Sequence, residues 1–446
     1  MVSITNYDFW EVGMANLNDS EEKFNKIIET NGIRVFDIKT NKFKTNTINV
    51  FFQDDLNVNS VSLNALFPSV LRRGCKGLPT IKEINLYLEE LYGAVFDCGI
   101  VKKGEKQIIQ FYFEYISDKY TLNNSSNFEK AFEFLINMIF NPVLQDGIFN
   151  EQYVELEKSN LKMLIESRTN DKVQYAQERC HELMCKDEPF GLYEYGSIEQ
   201  IERITSEELY KHYKEKVSTL PMDIFVTGEL TEIDIDIIKG RLKSIKRTAQ
   251  KALSTSIVKK YVDKVRYFED KMDVNQGKLS LGFRTNISAK EDEYYTLIVY
   301  NGILGGGMHS KLFQNVREKA GLAYFVFASL EKFKGLMLIE SGIDINEKDH
   351  AKELILKQLE DIQAGNISDY ELDATIKIIE TGIRSLKDSQ MQIVDFYLSQ
   401  LIAGTNDTME DVIKKTKGVT KQDVVNVSKK ILLDTVYFLT SKELEK

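Results

Sequence analysis

An arginine and a tyrosine in the second half of the chain are the residues best suited to bind a peptide backbone. Arg317 and Tyr324 lie in the segment LGGGMHSKLFQNVREKAGLAY, residues 304–324. Arginine offers a planar fork of donors for carbonyl or carboxylate oxygens, and tyrosine adds one donor on a rigid ring. Neither side chain activates water alone. The alternative is structural: Arg317 pairs with an acid such as Glu318 or Glu340, and Tyr324 is an ordinary strand aromatic.

The apolar residues before the arginine predict the elements that hold this pair. Leu312, Phe313 and Val316 follow a helical spacing, which predicts a helix with a buried Arg317 near the end of one turn. Tyr324 then falls on the strand that follows. This arrangement predicts that the two side chains converge.

A glycine run and a histidine precede the predicted helix. Gly305, Gly306, Gly307 and His309 are candidates to contact a bound peptide. A plain turn and a solvated histidine are the alternatives. A phosphate-binding loop is excluded, because no GK[ST] follows and no GxGxxG leads from a strand into a helix.

Few other residues of the chain have side chains suited to metal binding or catalysis. His181 and Cys185 lie one helical turn apart in CHELMC, residues 180–185, which resembles HExxH with its second histidine lost. Two ligands do not make a closed metal site, so structural packing is favoured. Arg72 and Arg73 either face a cavity, where they bind acidic peptide groups, or lie on the surface. The chain has four histidines, and no Ser/His/Asp set or Cys/His pair can be placed.

Composition narrows the functional classes. A chain of 446 residues exceeds one core of usual size and predicts two domains of roughly 200 residues each. The net charge of -10, without a basic stripe, argues against nucleic-acid binding. Four cysteines without a regular framework and an N-terminus without a signal pattern predict a cytoplasmic protein. No run approaches the roughly 18 apolar residues that a membrane-spanning helix needs.

The two halves show one order of elements, which predicts an α+β fold with mostly antiparallel sheets. The first half predicts strands at 47–52, 94–101, 106–115 and 222–227, and helices at 60–73, 80–92, 128–140 and about 149–185. The second predicts strands at 278–284, 323–330, 336–344 and 435–440, and helices at 294–304 and 311–319, followed by two more. Capping boxes at Thr80/Glu83 and Ser368/Glu371 mark helix starts. The polar stretch 247–256 separates predicted domains 1–246 and 257–446, as duplication would produce.

The order of elements and the segment SKLFQNVREKAGLAYFVFASLEKFKGLMLIESGID resemble the insulinase/pitrilysin family of zinc peptidases, in its processing-peptidase branch. The likeness spans nearly the whole chain. It implies two homologous α+β domains that form half of a clamshell. It also implies that Arg317 and Tyr324, in their RExxxLAY context, contact the substrate backbone near the scissile bond. Gly305 to Gly307 match a much longer glycine-rich substrate loop of the family's non-catalytic subunit.

The family's zinc site is degenerate in this sequence. The resemblance places an inverted HxxEH helix at residues 65–74, where Ala65 and Ser69 replace the two histidines and Pro68 replaces the glutamate. Alanine has no donor atom, serine is a poor zinc ligand, and proline cannot act as a base. Proline also removes a helix hydrogen bond and bends the segment. The third ligand, a glutamate, would fall near residues 157–160, and we expect no catalytic zinc in this chain.

The resemblance therefore implies the non-catalytic subunit of a bacterial heterodimeric peptidase. Zinc would be held by a homologous partner that carries HxxEH, and the substrate would be a small unfolded or precursor peptide lying extended along a sheet edge. A stand-alone peptide-binding or chaperone-like protein is one alternative. An independent hydrolase with an unrecognised site is another.

Overall fold

Two β-sheets organise the chain, in a computed structural model that describes residues 23–121, 126–248, 250–256 and 258–442. The strands are β1 Lys23–Thr30, β2 Ile33–Lys39, β3 Thr45–Asp55, β4 Val95–Lys103, β5 Lys106–Ile116, β6 Met222–Gly228, β7 Arg266–Met272, β8 Gly277–Arg284, β9 Ala323–Glu331, β10 Leu336–Ile343 and β11 Leu432–Ser441. Their order is β1-β2-β6-β3-β5-β4 in the first sheet and β7-β11-β8-β10-β9 in the second. Only the pairs β2–β6 and β7–β11 are parallel among the described strands, so the predicted α+β class with mostly antiparallel sheets is confirmed.

Helices cover these sheets. They are α1 Val61–Leu71, α2 Ile81–Glu90, α3 Asn127–Phe140, α4 Glu151–Ser167, α5 Lys172–Met184, α6 Ile198–Arg203, α7 Ser206–Thr219, α8 Glu232–Ser244, α9 Glu293–Gly305, α10 Lys348–Gln363, α11 Asp369–Leu386, α12 Gln390–Ala403, α13 Met409–Lys417 and α14 Lys421–Ser428. Both predicted capping boxes are present, at the starts of α2 and α11. Within the described ranges, no helix has the length and apolar content needed to span a membrane.

The sequence predicts one long helical stretch at about 149–185, and this prediction is wrong in one respect, because the structure has two helices there, α4 and α5. The chain breaks between α4 and α5, and Asp171 caps the second helix by accepting hydrogen bonds from the backbone N–H groups of Val173 and Gln174. An aspartate in this position satisfies donors that a continuous helix would have paired internally.

Each half of the chain completes the core of the other. Helix α5, from the first half, packs Ala176 and Cys180 against the second sheet at Leu338. Helix α12, from the second half, packs its apolar residues on the face of the first sheet that carries Phe51 and Phe225. The opposite face of the first sheet is covered by α1, α3 and α7. The two sheets are therefore tied together by exchanged helices.

A buried cluster of charges also joins the halves. Glu188, which follows α5, lies 2.6 Å from Arg284 Nη2 on β8 and 2.8 Å from Lys334 Nζ in the β9–β10 turn. Arg284 also donates to Asp434 at 3.0 Å, and Lys334 pairs with Glu105 as well. Burial would raise the pKa of Glu188, yet the hydrogen bonds from Arg284, Lys260 and Lys334 hold it at about 2. Glu188 is therefore charged at neutral pH.

Candidate functional site

Arg317 lies near the end of a π-helical segment, Leu312–Lys319, where an ordinary helix was predicted. π-helical turns are rare in proteins, and many of those that do occur lie at functional sites. The side chain is 42% exposed, so the prediction of a buried arginine is wrong. Its guanidinium lies 3.5 Å from the Glu318 carboxylate and 4.8 Å from the ring centre of Phe313. An exposed ion pair of this kind contributes little energy, so the guanidinium can exchange partners at low cost.

Tyr324 lies on β9, one of the two edge strands of the second sheet, and the residue is 66% exposed. Ala323 pairs with Ile343 and Phe325 pairs with Gly342 on β10, so two steps along β9 match one step along β10. Tyr324 lies at this shift of register, which has the form of a β-bulge. Bulges re-aim side chains and are common beside active sites.

The backbone links the arginine to the tyrosine strand. The Gly321 N–H donates to the Arg317 carbonyl, and the Leu322 N–H donates to the Val316 carbonyl, both at 3.1 Å. These bonds fold the end of the π-helical segment directly onto the start of β9. The structure therefore places two exposed donor side chains, Arg317 and Tyr324, on adjoining elements.

The glycine run allows close packing at the end of α9. A Cβ atom on Gly305 would lie 2.6 Å from the backbone nitrogen of Ala328 on β9, which is closer than real Cβ atoms approach. Gly306 and Gly307 then form the bend that leads to the π-helical segment. Gly305 is thus needed for packing, and the bend is the part of the run that reaches the surface.

His309 is buried, so the alternative of a solvated histidine is wrong. Its Nε2 lies 2.7 Å from the Thr375 hydroxyl on α11, and burial lowers the pKa of the ring. The neighbouring Lys311 pairs with Glu371, also on α11, at 2.9 Å. These two contacts anchor the loop to the helix. The side chain of Thr375 lies 66 residues beyond His309, so the local sequence carried no signal for this contact.

The degenerate zinc helix is α1, and its residues do not fit a zinc ion. Ala65 and Pro68 are buried in the core, and neither offers a ligand atom. Glu157 on α4, at the predicted third-ligand position, is bound by the Arg73 guanidinium and accepts a hydrogen bond from Asn160 at 3.1 Å. An arginine cation therefore neutralises the carboxylate that a metal would need.

A polar cavity of about 380 Å³ lies beside this ion pair, and we call it the α1 cavity. Its lining includes Ser69, Arg72, Arg73, Asn85 and Phe96. Of the two arginines, Arg73 is the enclosed one, whereas Arg72 is exposed and lies 3.1 Å from Asp97. Arg73 lies just beyond the end of α1 and 84 residues before Glu157, so the local sequence carried no signal for this pair.

The CHELMC segment is packed into the interior. His181 contacts the Phe190 ring edge-to-face at 5.4 Å, and burial lowers the pKa of His181 to about 3. Cys180 and Cys185 are buried as well. This is the packing arrangement that the sequence favoured. Across the described ranges, no group of three or more His, Cys, Asp or Glu side chains is placed to hold a metal ion.

Comparisons with known proteins show which proteins this chain resembles. A family profile described as "Peptidase M16 inactive domain" matches residues 203–379. A Bacillus subtilis protein named "Probable inactive metalloprotease YmfF" is 34% identical over 414 residues, which cover 92% of this chain and 96% of that protein. The crystal structure of a conserved protein from Enterococcus faecalis V583 is 27% identical, has a TM-score of 0.88, and covers 95% of this chain and 100% of its own. A peptidase M16 inactive domain from Pseudomonas fluorescens shares the fold, with a TM-score of 0.76 at 16% identity over 95% of this chain and 99% of its own.

Proposed function

Because this chain belongs to the M16 family of metallopeptidases, as an inactive, metalloprotease-like member, we propose that it is the substrate-positioning subunit of a heterodimeric zinc peptidase. The observation that carries the proposal is a contrast between two sites. At the first, Ala65, Pro68 and Ser69 leave no ligand set for a metal. At the second, Arg317 and Tyr324 are exposed on adjoining elements at an open sheet edge.

In this proposal the chain binds and orients a peptide. The fork of Arg317 and the hydroxyl of Tyr324 donate hydrogen bonds to backbone oxygens of an extended segment. The hydrolytic chemistry comes from a zinc site on a homologous partner that carries HxxEH. Holding the peptide in one geometry removes much of the entropy cost of reaching the transition state.

The glycine loop has a supporting role in the same proposal. Gly306 and Gly307 offer backbone groups at the surface, beside the segment that carries Arg317. His309 binds Thr375 and thereby holds the loop against α11. We infer that His309 positions the loop and that the glycines contact the peptide.

Cleavage assays with the HxxEH partner test the proposal. We expect Arg317→Ala and Tyr324→Phe each to lower kcat/KM for a peptide library by about tenfold to 100-fold, because each removes a hydrogen bond that strengthens in the transition state. Arg241→Ala and Tyr267→Phe are matched controls, since Arg241 is 45% exposed on α8 and Tyr267 is 62% exposed on β7, at the opposite edge of the second sheet from β9. Parent-like cleavage by both site variants would overturn the proposal.

Peptide binding without a protease partner is the second candidate function. The open strand edges β4 and β9 favour it, because unpaired backbone groups can bind an extended peptide in the isolated chain. Tight binding of peptides by the chain alone, together with cleavage by the partner that does not depend on this chain, would favour this candidate.

A further inference from the structure

A cavity at the junction of the two halves is lined in part by the stretch that connects them. It has a volume of about 830 Å³, and we call it the linker cavity. Residues 253–256 and 258–259 form one wall, Arg34 comes from the first sheet, and Phe333 comes from the β9–β10 turn. Tyr324 lies at the opposite end of β9 from that turn, roughly 23 Å away at the rise of an extended strand. The linker cavity is therefore separate from the candidate peptide site.

Six cationic side chains line the linker cavity, against one carboxylate. The cations are Arg34, Lys103, Lys106, Lys251, Lys259 and Lys290. The carboxylate, Glu291, is already engaged, because it accepts hydrogen bonds from the Ser288 backbone N–H at 2.7 Å and from the Ser288 hydroxyl at 2.5 Å. The lining therefore favours an anionic ligand.

Four of these cations are paired with carboxylates that do not line the cavity. The pairs are Arg34–Asp223, Lys103–Asp395, Lys106–Asp55 and Lys251–Asp54. Asp223 is fully buried and binds Arg34 through Nε at 2.6 Å and Nη2 at 2.9 Å. This contact fixes the guanidinium at the wall, while its Nη1 makes no hydrogen bond to a described residue. Arg34 is thus held in place with one donor group left for a ligand.

The other two cations, Lys259 and Lys290, have no such partner. In the part of the chain that the structure describes, neither ammonium group lies within ion-pair distance of a carboxylate, and both residues are exposed. The hydroxyls of Thr255 and Ser256 also line the cavity, and they too make no hydrogen bond to a described residue. An anion that binds these groups displaces no existing contact.

The rest of the lining includes an apolar wall. Its members are half-buried and partly open to the cavity, and they are Leu253, Val258, Phe333, Leu401 and Ile402. The ammonium groups of Lys332 and Lys103 lie 5.1 and 5.9 Å from the centre of the Phe333 ring. A ligand that fills this volume therefore carries an apolar or ring-shaped part beside its anionic group.

We propose that the linker cavity binds a small organic phosphate, with its phosphate group on Arg34, Lys259 and Lys290 and its apolar or ring-shaped part against Phe333. A phosphate monoester carries about two negative charges at neutral pH and three acceptor oxygens, which suit several donors from different elements. The cavity volume of about 830 Å³ lies within the range of small-molecule sites. Neither a peptide nor a peptidase partner enters this inference, so it goes beyond the proposed function.

Isothermal titration calorimetry with the isolated chain tests the inference. The probes are adenosine monophosphate, which has both parts, inorganic phosphate, which has only the anion, and adenosine, which has only the ring. We expect adenosine monophosphate to bind at least about tenfold more tightly than either of the others, because it contacts both kinds of lining at once. Equal affinity for adenosine monophosphate and for either simpler probe would overturn the inference, as would no binding of adenosine monophosphate at about 1 mM.

Lysine variants locate the anion site. Lys259→Gln/Lys290→Gln should weaken binding of adenosine monophosphate at least about tenfold, because it removes both unpaired cations. Since both side chains are exposed, the fold is kept. Lys82→Gln/Lys211→Gln is the matched control, because these lysines on α2 and α7 are also exposed and have no acid partner among the described residues. The control has the same net charge and should bind like the parent.

A change in the apolar wall tests the other half of the site. Phe333→Ala should remove most of the preference for adenosine monophosphate over inorganic phosphate, while phosphate still binds and so reports that the cationic lining is intact. Parent-like binding of adenosine monophosphate by Lys259→Gln/Lys290→Gln, or an equal loss in the control pair, would contradict the proposed site. A Phe333→Ala chain that keeps the full preference would contradict it as well.

Discussion

Replacing Glu188 with alanine is expected to lower the free energy of unfolding by about 3–5 kcal/mol, the usual cost of removing one partner from a buried ion pair. Glu188 pairs with Arg284, of which only 1% is exposed, and with the fully buried Lys334. Both cations lose one of their acid partners in the variant, and neither can reach water without opening the contact between the halves.

Urea unfolding of the parent and the variant measures this effect. Glu269→Ala is the control, because Glu269 pairs with Lys348 at 3.0 Å on the surface and its loss should cost about 0.5 kcal/mol or less. Equal unfolding midpoints for Glu188→Ala and Glu269→Ala would show that the buried cluster does not hold the halves together.

The same cluster makes the free energy of unfolding depend on pH. The pKa of Glu188 is about 2 in the folded protein against an ordinary value of 4.5. The folded state thus binds this proton less readily than the unfolded chain, so the stabilisation is complete above the unfolded pKa and is lost as pH falls towards the folded one. The stability gap between the parent and Glu188→Gln should therefore be wide at about pH 6 and narrow towards about pH 2. A gap that does not change with pH would contradict this assignment.

Local patterns in the sequence predicted the elements that carry the candidate site. The capping boxes located α2 and α11, and the alternation of Ile109, Phe111 and Phe113 located β5, on which these three side chains are all buried. Helix α1 forms despite Pro68, because its apolar residues are held in the core. These features depend on residues a few positions apart, which a single sequence displays directly.

Contacts between distant residues could not be predicted in the same way. Glu188 and Arg284 lie 96 residues apart, and Arg73 and Glu157 lie 84 apart. No local period marks such pairs, and the exchange of α5 and α12 between the halves is equally invisible to a helical pattern. The exposure of Arg317 and the burial of His309 were misjudged for the same reason, since both depend on which elements pack nearby.

Restoring the family's ligands should restore zinc binding only when Arg73 is also removed. The variant Ala65→His/Pro68→Glu/Ser69→His supplies two imidazoles on α1 near Glu157, which is the composition of a catalytic zinc site. Arg73 still binds the Glu157 carboxylate in that variant. Adding Arg73→Met frees the carboxylate and keeps much of the arginine stem volume, so we expect zinc affinity to rise at least about 100-fold, or about 2.8 kcal/mol.

Zinc titration with a competing chelator measures this difference, with Arg73→Met alone as the control that should not bind. Equal zinc affinity with and without Arg73 would show that the guanidinium does not block the carboxylate. The expected result would mean that two changes separate this chain from a metal-binding member of its family. One is the loss of the two ligands at residues 65 and 69 and of the base at residue 68, and the other is an internal cation that neutralises Glu157. Burying the Glu157 carboxylate without a cation beside it would be costly. The Arg73 guanidinium supplies that cation, which explains how α1 and α4 stay packed without a metal.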